Sequence, residues 1–361
     1  MEEAYHEDDG TDHGWGKRRA VWPKSRTRLP KQFLSLTGDG KTMIQLTVER
    51  ISGLVAIEDV YVATNRAYKE LVCQQLPGIP EQNILLEPVG RNTAPCIGLG
   101  AEHIAKKYED AIMLVLPSDH LIKMPSVFAD TLKSAAEVAQ EGENLVTLGI
   151  TPAYPETGYG YIKFRSGARR GAAYEVERFV EKPDRPTAER YLKSGDYLWN
   201  SGMFIWKVSS IRANIKRHMP QLFEALCRIG SSIGKACYEQ VLEAEFTAMK
   251  GESIDYGIME KAGDIYILPG NFGWDDVGSW LAVERINPVD EHQNLIKGNV
   301  VSYDIRGCTI EGGQKLLAAV GLRDLIIVDT PDATLICDKQ SAGEIKKILE
   351  SLRQSGKEQY L

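Results

Sequence analysis

Hydrophobic and polar positions follow two alternating patterns over the first 150 residues of the chain. Short apolar runs predict buried strands at 60–63, 84–86, 111–116 and 145–150. Between these runs, apolar residues recur at helical spacing and predict helices at 43–54, 66–76, 94–107 and 126–141. The unbroken run at 111–116 is typical of a parallel strand that is covered on both faces. Strands that alternate with helices predict an α/β protein with a doubly wound, Rossmann-like sheet.

The pattern changes after residue 150. Two segments, 158–162 and 174–180, predict antiparallel strands, and an aromatic-rich strand and several helices follow them. From residue 299 onward, short β segments repeat before a charged helix closes the chain. We therefore predict three parts. These are an atypical segment 1–21, a mixed α/β domain 22–294, and a small appendage 295–361 that forms a short β-helix or a folded-over sheet.

The composition is that of an ordinary globular protein, with 43% hydrophobic and 26% charged residues. A formal charge of −7 argues against a nucleic-acid-binding protein. No run of 18 apolar residues occurs, so we expect no transmembrane helix. The six cysteines include no CxxC pair, and the histidines lack metal-ligand spacing. We therefore expect reduced thiols, no zinc and a cytoplasmic protein.

Three aspartates occupy positions that suit a metal ion. Asp119 lies three residues after the apolar run at 111–116, and Asp275 and Asp276 share the glycine-flanked turn GWDDVGSW. In doubly wound sheets, ligands bind at the carboxyl ends of strands, and Mg²⁺ is held by one or two carboxylates plus substrate phosphates. The alternatives are a helix-capping or turn aspartate at 119 and a turn packed on aromatic residues at 275–276.

Other polar side chains lie in loops that suit nucleotides and sugars. Glu87 and Asn92 lie between a strand end and a predicted helix start, where the helix N-terminus favours anions. Glu181 can accept hydrogen bonds from sugar hydroxyls while Lys182 pairs with a phosphate, although a surface ion pair is the alternative. Asn200 lies among aromatic residues and suits sugar recognition by an amide.

The stretch GWGKRRAVWPKSRTRLPKQF, at 14–33, brings several cations together with prolines that fix the backbone between them. Such a stretch is typical of a site for phosphorylated substrates. A solvated basic linker is the alternative.

Eight stretches together resemble the bacterial mannose-1-phosphate guanylyltransferases, also called GDP-mannose pyrophosphorylases. They occur in the order of that family: WPKSRTRLPKQF, LEPVGRNTAP, LPSDHLI, GYGYI, FVEKPD, WNSGMF, SIDYGIMEK and GWDDVGSW. Each stretch alone is a weak signal, but eight in order are specific. The resemblance implies a nucleotidyltransferase-like α/β domain followed by a short left-handed β-helix. It also implies a Mg²⁺-dependent reaction in which GTP and α-D-mannose 1-phosphate give GDP-mannose and diphosphate.

The resemblance also implies roles for single residues. Lys31, Asp119 and Asp276 match the catalytic residues, and the two aspartates match the metal-binding acids. Asp275 stands where the family varies, so we assign the metal to Asp276. The nucleotide-binding positions are Glu87, Arg91, Asn92, Thr93, Pro117 and Ser118, and the sugar-phosphate-binding positions are Gly160, Glu181, Lys182 and Asn200.

The N-terminus departs from the family pattern of a buried strand followed by AGGxGxRxWP, because those positions read HGWGKRRAVWP here. The backbone N–H groups of such a loop cradle a triphosphate, so we expect impaired activity. Codons that are compatible with 13–21, read one base later, encode MAGGRGER, and the same shift through 6–12 permits the apolar strand MKMMVLI. We therefore hypothesise that residues 1–21 are the product of a frameshift.

The sequence predicts an enzyme of nucleotide-sugar and polysaccharide synthesis that binds GTP, mannose 1-phosphate and GDP-mannose. Neither nucleic acid nor a membrane is an expected partner, and a homodimer remains open. One alternative is a catalytically silent, nucleotidyltransferase-like subunit that senses GDP-mannose, although the retained metal acids argue against it. Another alternative is a pyrophosphorylase for a different sugar 1-phosphate or nucleoside triphosphate.

Overall fold

The computed structural model describes residues 21–361. The α-helices of this part of the chain are α1 (Met43–Glu49), α2 (Lys69–Gln75), α3 (Thr93–Lys107), α4 (Pro125–Gln140), α5 (Arg185–Ser194), α6 (Val208–His218), α7 (Pro220–Ser232), α8 (Tyr238–Ala248), α9 (Trp280–Ile286) and α10 (Ile345–Gln354). Short 3₁₀ turns and one π-helical turn, Asp255–Met259, complete the helical structure. None of the helices between residues 21 and 361 has both the length and the apolar character that crossing a bilayer requires.

The strands of the same residues are β1 (Val62–Asn65), β2 (Ile84–Glu87), β3 (Ile112–Val115), β4 (Leu121–Ile122), β5 (Leu145–Ile150), β6 (Tyr161–Arg170), β7 (Ala173–Val180), β8 (Tyr197–Lys207), β9 (Ile265–Gly270), β10 (Trp274–Asp275), β11 (Leu295–Lys297), β12 (Val300–Tyr303), β13 (Thr309–Glu311), β14 (Leu317–Val320), β15 (Leu325–Asp329) and β16 (Thr334–Asp338). Most of the predicted strands and helices are therefore present, with ends shifted by a few residues.

The chain divides into two compact units. The first comprises Arg50–Pro117 and Ile122–Trp274, and it contains a six-stranded sheet in the order β3-β8-β5-β9-β7-β6. Strands β5 and β9 are parallel, whereas β8 is antiparallel to both β3 and β5. A separate pair of parallel strands, β1 and β2, belongs to the same unit. The mixed α/β sheet confirms the predicted fold class.

The parallel pairing predicted for the apolar run at 111–116 stays untested. Among the described strands, β3 pairs antiparallel with β8, with Ile112 opposite Lys207 and Val115 opposite Phe204. Hydrophobic residues report burial, and burial alone does not fix the direction of the neighbouring strand. In the same sheet the antiparallel pairing predicted for 158–162 and 174–180 is confirmed, because β6 and β7 form a hairpin.

The second unit comprises 21–49, Ser118–Leu121 and Asp275–Leu361. Its C-terminal strands form two parallel stacks, β11-β13-β15 and β12-β14, and β16 adds antiparallel to β15. Along the chain, successive strands from β11 to β15 alternate between the two stacks. This arrangement is that of a short β-helix, as predicted. Apolar side chains fill its interior: Ile305, Cys308, Ile310, Ala319 and Ile327.

Residues 21–36 pack against the later part of the same unit. The Trp280 indole donates to the Trp22 carbonyl at 2.7 Å, and the Trp22 indole donates to the Tyr360 carbonyl at 2.8 Å. Val21 and Leu36 are fully buried in the core that these contacts surround. The basic stretch is therefore part of a packed core, which excludes the solvated-linker alternative for its described residues. The altered loop before residue 21 lies outside the described residues.

Candidate functional site

Lys31 is the centre of a polar cluster in the second unit. It begins a 3₁₀ turn, Lys31–Phe33, that follows the extended Pro30. Its side chain is only 1% exposed, and its Nζ lies 2.9 Å from Asp119 Oδ2. The same Nζ donates to the backbone carbonyl of Asp276. The structure thus brings together Lys31, Asp119 and Asp276, the three residues predicted to be catalytic.

Asp119 is the more accessible of the two predicted metal ligands. Its side chain is 21% exposed, and Ser118 precedes it in the turn after β3. His120 Nε2 lies 3.8 Å from Asp119 Oδ1, a contact that the sequence did not predict. Pro117, which belongs to the first unit, lies beside Gly202, where an added Cβ would come within 3.7 Å of its ring.

The two aspartates of the turn at 275–278 have different hydrogen-bond partners. Asp275 accepts from the backbone N–H of Val277 at 2.9 Å and from the Arg285 guanidinium at 2.7 Å. Both oxygens of Asp275 are thus engaged in holding the turn. Asp276 accepts from the Gly278 N–H at 3.1 Å, and its carbonyl meets Lys31. The assignment of the metal to Asp276 stays a prediction from the family resemblance.

The backbone of this turn is strained. Val277 has φ +48°, a conformation that a β-branched residue rarely adopts. Its side chain is fully buried, so packing holds the unfavourable backbone in place. Strain that the surrounding structure maintains is typical of functional sites. Asn92 and Lys182, at φ +67° and +41°, show the same feature in two other predicted loops.

The donor set around Lys31 fits a divalent cation of the Mg²⁺ type. Carboxylate oxygens are the ligands that Mg²⁺ prefers, and it normally keeps waters and substrate phosphates in its shell. Within residues 21–361, no group of three or more His, Cys, Asp or Glu side chains forms a protein cage for a metal ion. Asp119 and Asp276 therefore suit an ion that takes one or two ligands from the protein and the others from a substrate.

Glu87 is an unusual carboxyl group in the first unit. It ends β2 and is only 6% exposed, and its Oε1 has no hydrogen-bond partner within the described residues. Burial raises the pKa of Glu87 to about 7, and a hydrogen bond from the Cys96 thiol partly opposes this shift. A buried polar atom without a partner is rare in proteins and often indicates an unfilled ligand contact.

The residues that follow Glu87 hold the loop together. The Arg91 guanidinium donates to the carbonyls of Phe246 and Thr247 at 2.8 and 2.5 Å. Asn92 caps α3 by accepting from the Thr93 N–H at 2.8 Å, and Thr93 Oγ1 accepts from the Ile254 N–H at 2.8 Å. These three side chains make structural contacts, so of the predicted nucleotide-binding group only Glu87 presents an unsatisfied buried polar atom.

The predicted sugar-phosphate residues lie together in the first unit. The Asn200 N–H donates to the Gly160 carbonyl at 2.8 Å, and a Cβ added at Gly160 would lie 2.6 Å from Glu181 Oε2. Lys182 Nζ is 3.6 Å from Glu181 Oε1, and its side chain is 57% exposed. The absence of a side chain at residue 160 therefore allows the Glu181 carboxylate to approach the backbone beside Asn200.

Asp255 joins this group and was missed by the residue-level predictions. Its Oδ1 accepts from Asn200 Nδ2 at 2.8 Å. The stretch SIDYGIMEK carries part of the family resemblance, but no pattern in the sequence predicts a partner for its aspartate. Only the contact between the π-helical turn and β8 reveals the connection.

Comparison with known proteins gives the class of the chain. Residues 14–293 match the Nucleotidyl transferase family, and residues 298–352 match the MannoseP isomerase/GMP-like beta-helix domain. The chain belongs to the nucleotidyl transferase family. The two matches confirm the predicted nucleotidyltransferase fold with a C-terminal β-helix.

Individual relatives narrow the class. The chain is 40% identical over 353 residues to a mannose-1-phosphate guanylyltransferase of Klebsiella pneumoniae, and 39% identical over 353 residues to one of Escherichia coli. Each alignment covers 96% of this chain and 74% of the relative. The crystal structure of a mannose-1-phosphate geranyltransferase from Thermus thermophilus has a TM-score of 0.84 and 36% identity, and the match covers 94% of this chain and 97% of that one. These relatives confirm the resemblance drawn from the eight stretches.

Proposed function

We propose that the chain is a mannose-1-phosphate guanylyltransferase, which converts GTP and α-D-mannose 1-phosphate to GDP-mannose and diphosphate. The observation that carries the proposal is the cluster of Lys31, Asp119 and Asp276 in a chain about 40% identical to such enzymes over nearly its whole length. The sugar phosphate attacks the α-phosphorus of GTP in line, and diphosphate leaves. No side chain needs to form a covalent intermediate, so positioning and charge neutralisation supply the catalysis.

Nucleotidyltransferases of this family generally use a divalent metal. We propose that the metal is Mg²⁺ and that Asp119 and Asp276 hold it. The ion would supply neutralisation of phosphate charge. Lys31 neutralises phosphate charge in this proposal, and its Nζ lies beside the Asp119 carboxylate and the Asp276 carbonyl.

The other predicted site residues supply the binding groups in this proposal. Glu87 reads the guanine base, with Arg91, Asn92 and Thr93 shaping its loop and Pro117 and Ser118 completing the nucleotide contacts. Gly160, Glu181 and Asn200 bind the sugar, and the exposed Lys182 pairs with its phosphate. The unsatisfied Oε1 of Glu87 and the contacts around Gly160 support these roles.

A diphosphate-release assay tests the function. GTP, UTP and ATP are each combined with mannose 1-phosphate or glucose 1-phosphate in the presence of Mg²⁺. The expected result is a preference for GTP with mannose 1-phosphate. A preference for UTP or for glucose 1-phosphate would contradict the proposed substrates.

A silent GDP-mannose-sensing subunit is the second candidate, and the altered sequence before Trp22 favours it. The family match begins at residue 14 and so includes that loop. We keep the hypothesis of a frameshift there. The discriminating experiment compares this chain with the frame-restored chain, which begins MKMMVLIMAGGRGER. Binding of GDP-mannose without turnover by both chains would favour the sensing subunit.

The frameshift hypothesis has its own test. Resequencing the DNA before Trp22 decides whether a single-base change restores the reading frame.

We also propose a boundary between the two sequence modules at residues 294 and 295. The family matches support it, since one ends at residue 293 and the other begins at residue 298. The cytoplasmic location and the homodimer both stay predictions. Sedimentation velocity measures the oligomeric state and so tests the homodimer.

A further inference from the structure

Asp255 lies in a part of the first unit whose backbone is unusual. It opens the π-helical turn Asp255–Met259, which follows α8. Such turns are rare and are found frequently at functional sites. The carboxylate is partly buried and contacts Asn200, one of the residues proposed to bind the sugar.

The side-chain amide of Asn200 is held from two sides. Its Nδ2 donates to Asp255 Oδ1 at 2.8 Å, and its Oδ1 accepts from the backbone N–H of Gly202 at 3.1 Å. An ionised carboxylate can only accept, and a backbone N–H can only donate. The reverse amide orientation would therefore place donor against donor and acceptor against acceptor. One N–H and one oxygen lone pair of Asn200 remain for a ligand.

The surroundings of Asp255 disfavour its ionised form. Burial raises the pKa of Asp255, the hydrogen bond from Asn200 opposes the shift, and the charge of Glu181 adds to it. Lys182 is the cation that offsets these two acids. Carboxylates that are kept despite desolvation and a like-charged neighbour are typical of binding and catalytic sites.

We propose that Asp255 is a positioning residue for sugar recognition. Together with the Gly202 N–H, it fixes the Asn200 amide so that one donor and one acceptor face adjacent hydroxyl groups of a hexose 1-phosphate. The inference rests on the proposed function, which supplies that substrate. A fixed amide binds a pair of hydroxyls better than a rotating one, because its orientation costs no entropy at the moment of binding.

Steady-state kinetics of Asp255→Ala test the proposal in this chain and in its frame-restored version. The KM for mannose 1-phosphate is expected to rise about tenfold, which corresponds to about 1.4 kcal/mol and to the loss of one net hydrogen bond. The KM for GTP is expected to stay within about twofold, since the change lies in the sugar contacts. The preference for mannose 1-phosphate over glucose 1-phosphate is expected to fall.

Two further variants separate positioning from a structural role. Asp255→Asn keeps the shape of the side chain and one acceptor oxygen, but its amide can also donate and so no longer fixes the orientation of the Asn200 amide. This variant should therefore recover part of the affinity for the sugar that Asp255→Ala loses. It also keeps the test available if Asp255→Ala does not fold. Glu260→Ala is the matched control, because it removes one exposed acid directly after the same turn without touching Asn200.

The outcomes separate the two levels of inference. Failure of both chains to make GDP-mannose would overturn the proposed function. If synthesis is intact, equal KM values for mannose 1-phosphate in the unmodified chain and its Asp255 variants would overturn the positioning role alone. A parallel rise in the KM for GTP and the KM for mannose 1-phosphate would also overturn it, since that pattern indicates a general disturbance of the fold.

Discussion

The Lys31 ammonium group is buried, and it contacts residues of the candidate active site. Its Nζ contacts the Asp119 carboxylate and the Asp276 carbonyl, and both are predicted site residues. We expect Lys31→Met, which keeps the length of the side chain, to reduce kcat/KM by about 10²–10³, the usual effect of removing one fixed charge that stabilises a transition state. Steady-state diphosphate release measures the loss.

Lys24→Met is the matched control for this prediction. Lys24 lies in the same basic stretch but pairs with Glu311 of the β-helix. The control should retain kcat/KM within a few fold. Equal losses in the two variants would show that the stretch acts only through its packing.

Glu87 provides a prediction about pH. Its folded-state pKa of about 7 lies above the ordinary value of 4.5, so the folded protein binds this proton more tightly than the unfolded chain. Stability from this group is complete below pH 4.5 and is lost as the pH rises through 7. The loss amounts to roughly 3 kcal/mol.

Glu87→Gln removes this titration while keeping a neutral polar side chain. The variant should match the unmodified protein in free energy of unfolding near pH 4 and exceed it above pH 7. Urea denaturation at a series of pH values measures the difference. A constant difference across that range would show that Glu87 is not the titrating group. The same variant should bind GTP more weakly if Glu87 reads the base.

At the scale of elements, the glycine turns of the β-helix set how closely successive coils approach. Gly298 has φ +81°, and a Cβ there would collide with the backbone carbonyl of Gly312. Gly321 has φ +70° but open space around it. Alanine at residue 321 should cost about 1 kcal/mol from the backbone conformation alone. Alanine at residue 298 should cost more, because neither backbone can move aside without separating the coils.

Thermal unfolding of Gly298→Ala and Gly321→Ala measures this difference. The Tm of Gly298→Ala should be lower than that of Gly321→Ala by several degrees. Equal Tm values would mean that the coils separate at little cost, which would contradict tight stacking of β11 on β13.

The elements also show what the sequence could and could not predict. Apolar patterning located β5 and α3 to within a residue, because the burial of each segment follows the pattern of its own residues. It did not predict that β3 pairs antiparallel with β8, because that pairing depends on a strand some 90 residues later in the chain. The π-helical turn at Asp255 has no periodic signal at all, since it differs from an α-helical turn only in its hydrogen bonds.

The candidate site shows the same limit. Motif order alone predicted that Lys31, Asp119 and Asp276 belong together, although almost 250 residues separate the first from the last. It did not predict that Arg91 is committed to the Phe246 and Thr247 carbonyls, or that Asp255 holds Asn200. Those contacts depend on side-chain geometry between distant segments, which a single sequence does not contain.

At the scale of the whole molecule, charge decides how the reaction can proceed. The chain has a formal charge of −7, and GTP and a sugar phosphate are themselves anions. Like charges on protein and substrates oppose association, so local cations must overcome the repulsion. Lys31, Arg91 and Lys182 supply three positive charges among the proposed site residues, and a divalent ion at Asp119 and Asp276 would add two more.

Removal of metal ions should therefore abolish synthesis of GDP-mannose without unfolding the chain. We expect no diphosphate release after treatment with EDTA, and full recovery when Mg²⁺ is added in excess.

Asp276→Asn should raise the Mg²⁺ concentration needed for half-maximal rate by at least about tenfold, because the neutral amide is a much weaker ligand for a hard cation. Asp275→Asn should instead lower the Tm with little change in Mg²⁺ dependence, since Asp275 is engaged by Val277 and Arg285. The reverse result, with metal dependence altered at 275 and not at 276, would move the metal ligand to the neighbouring aspartate.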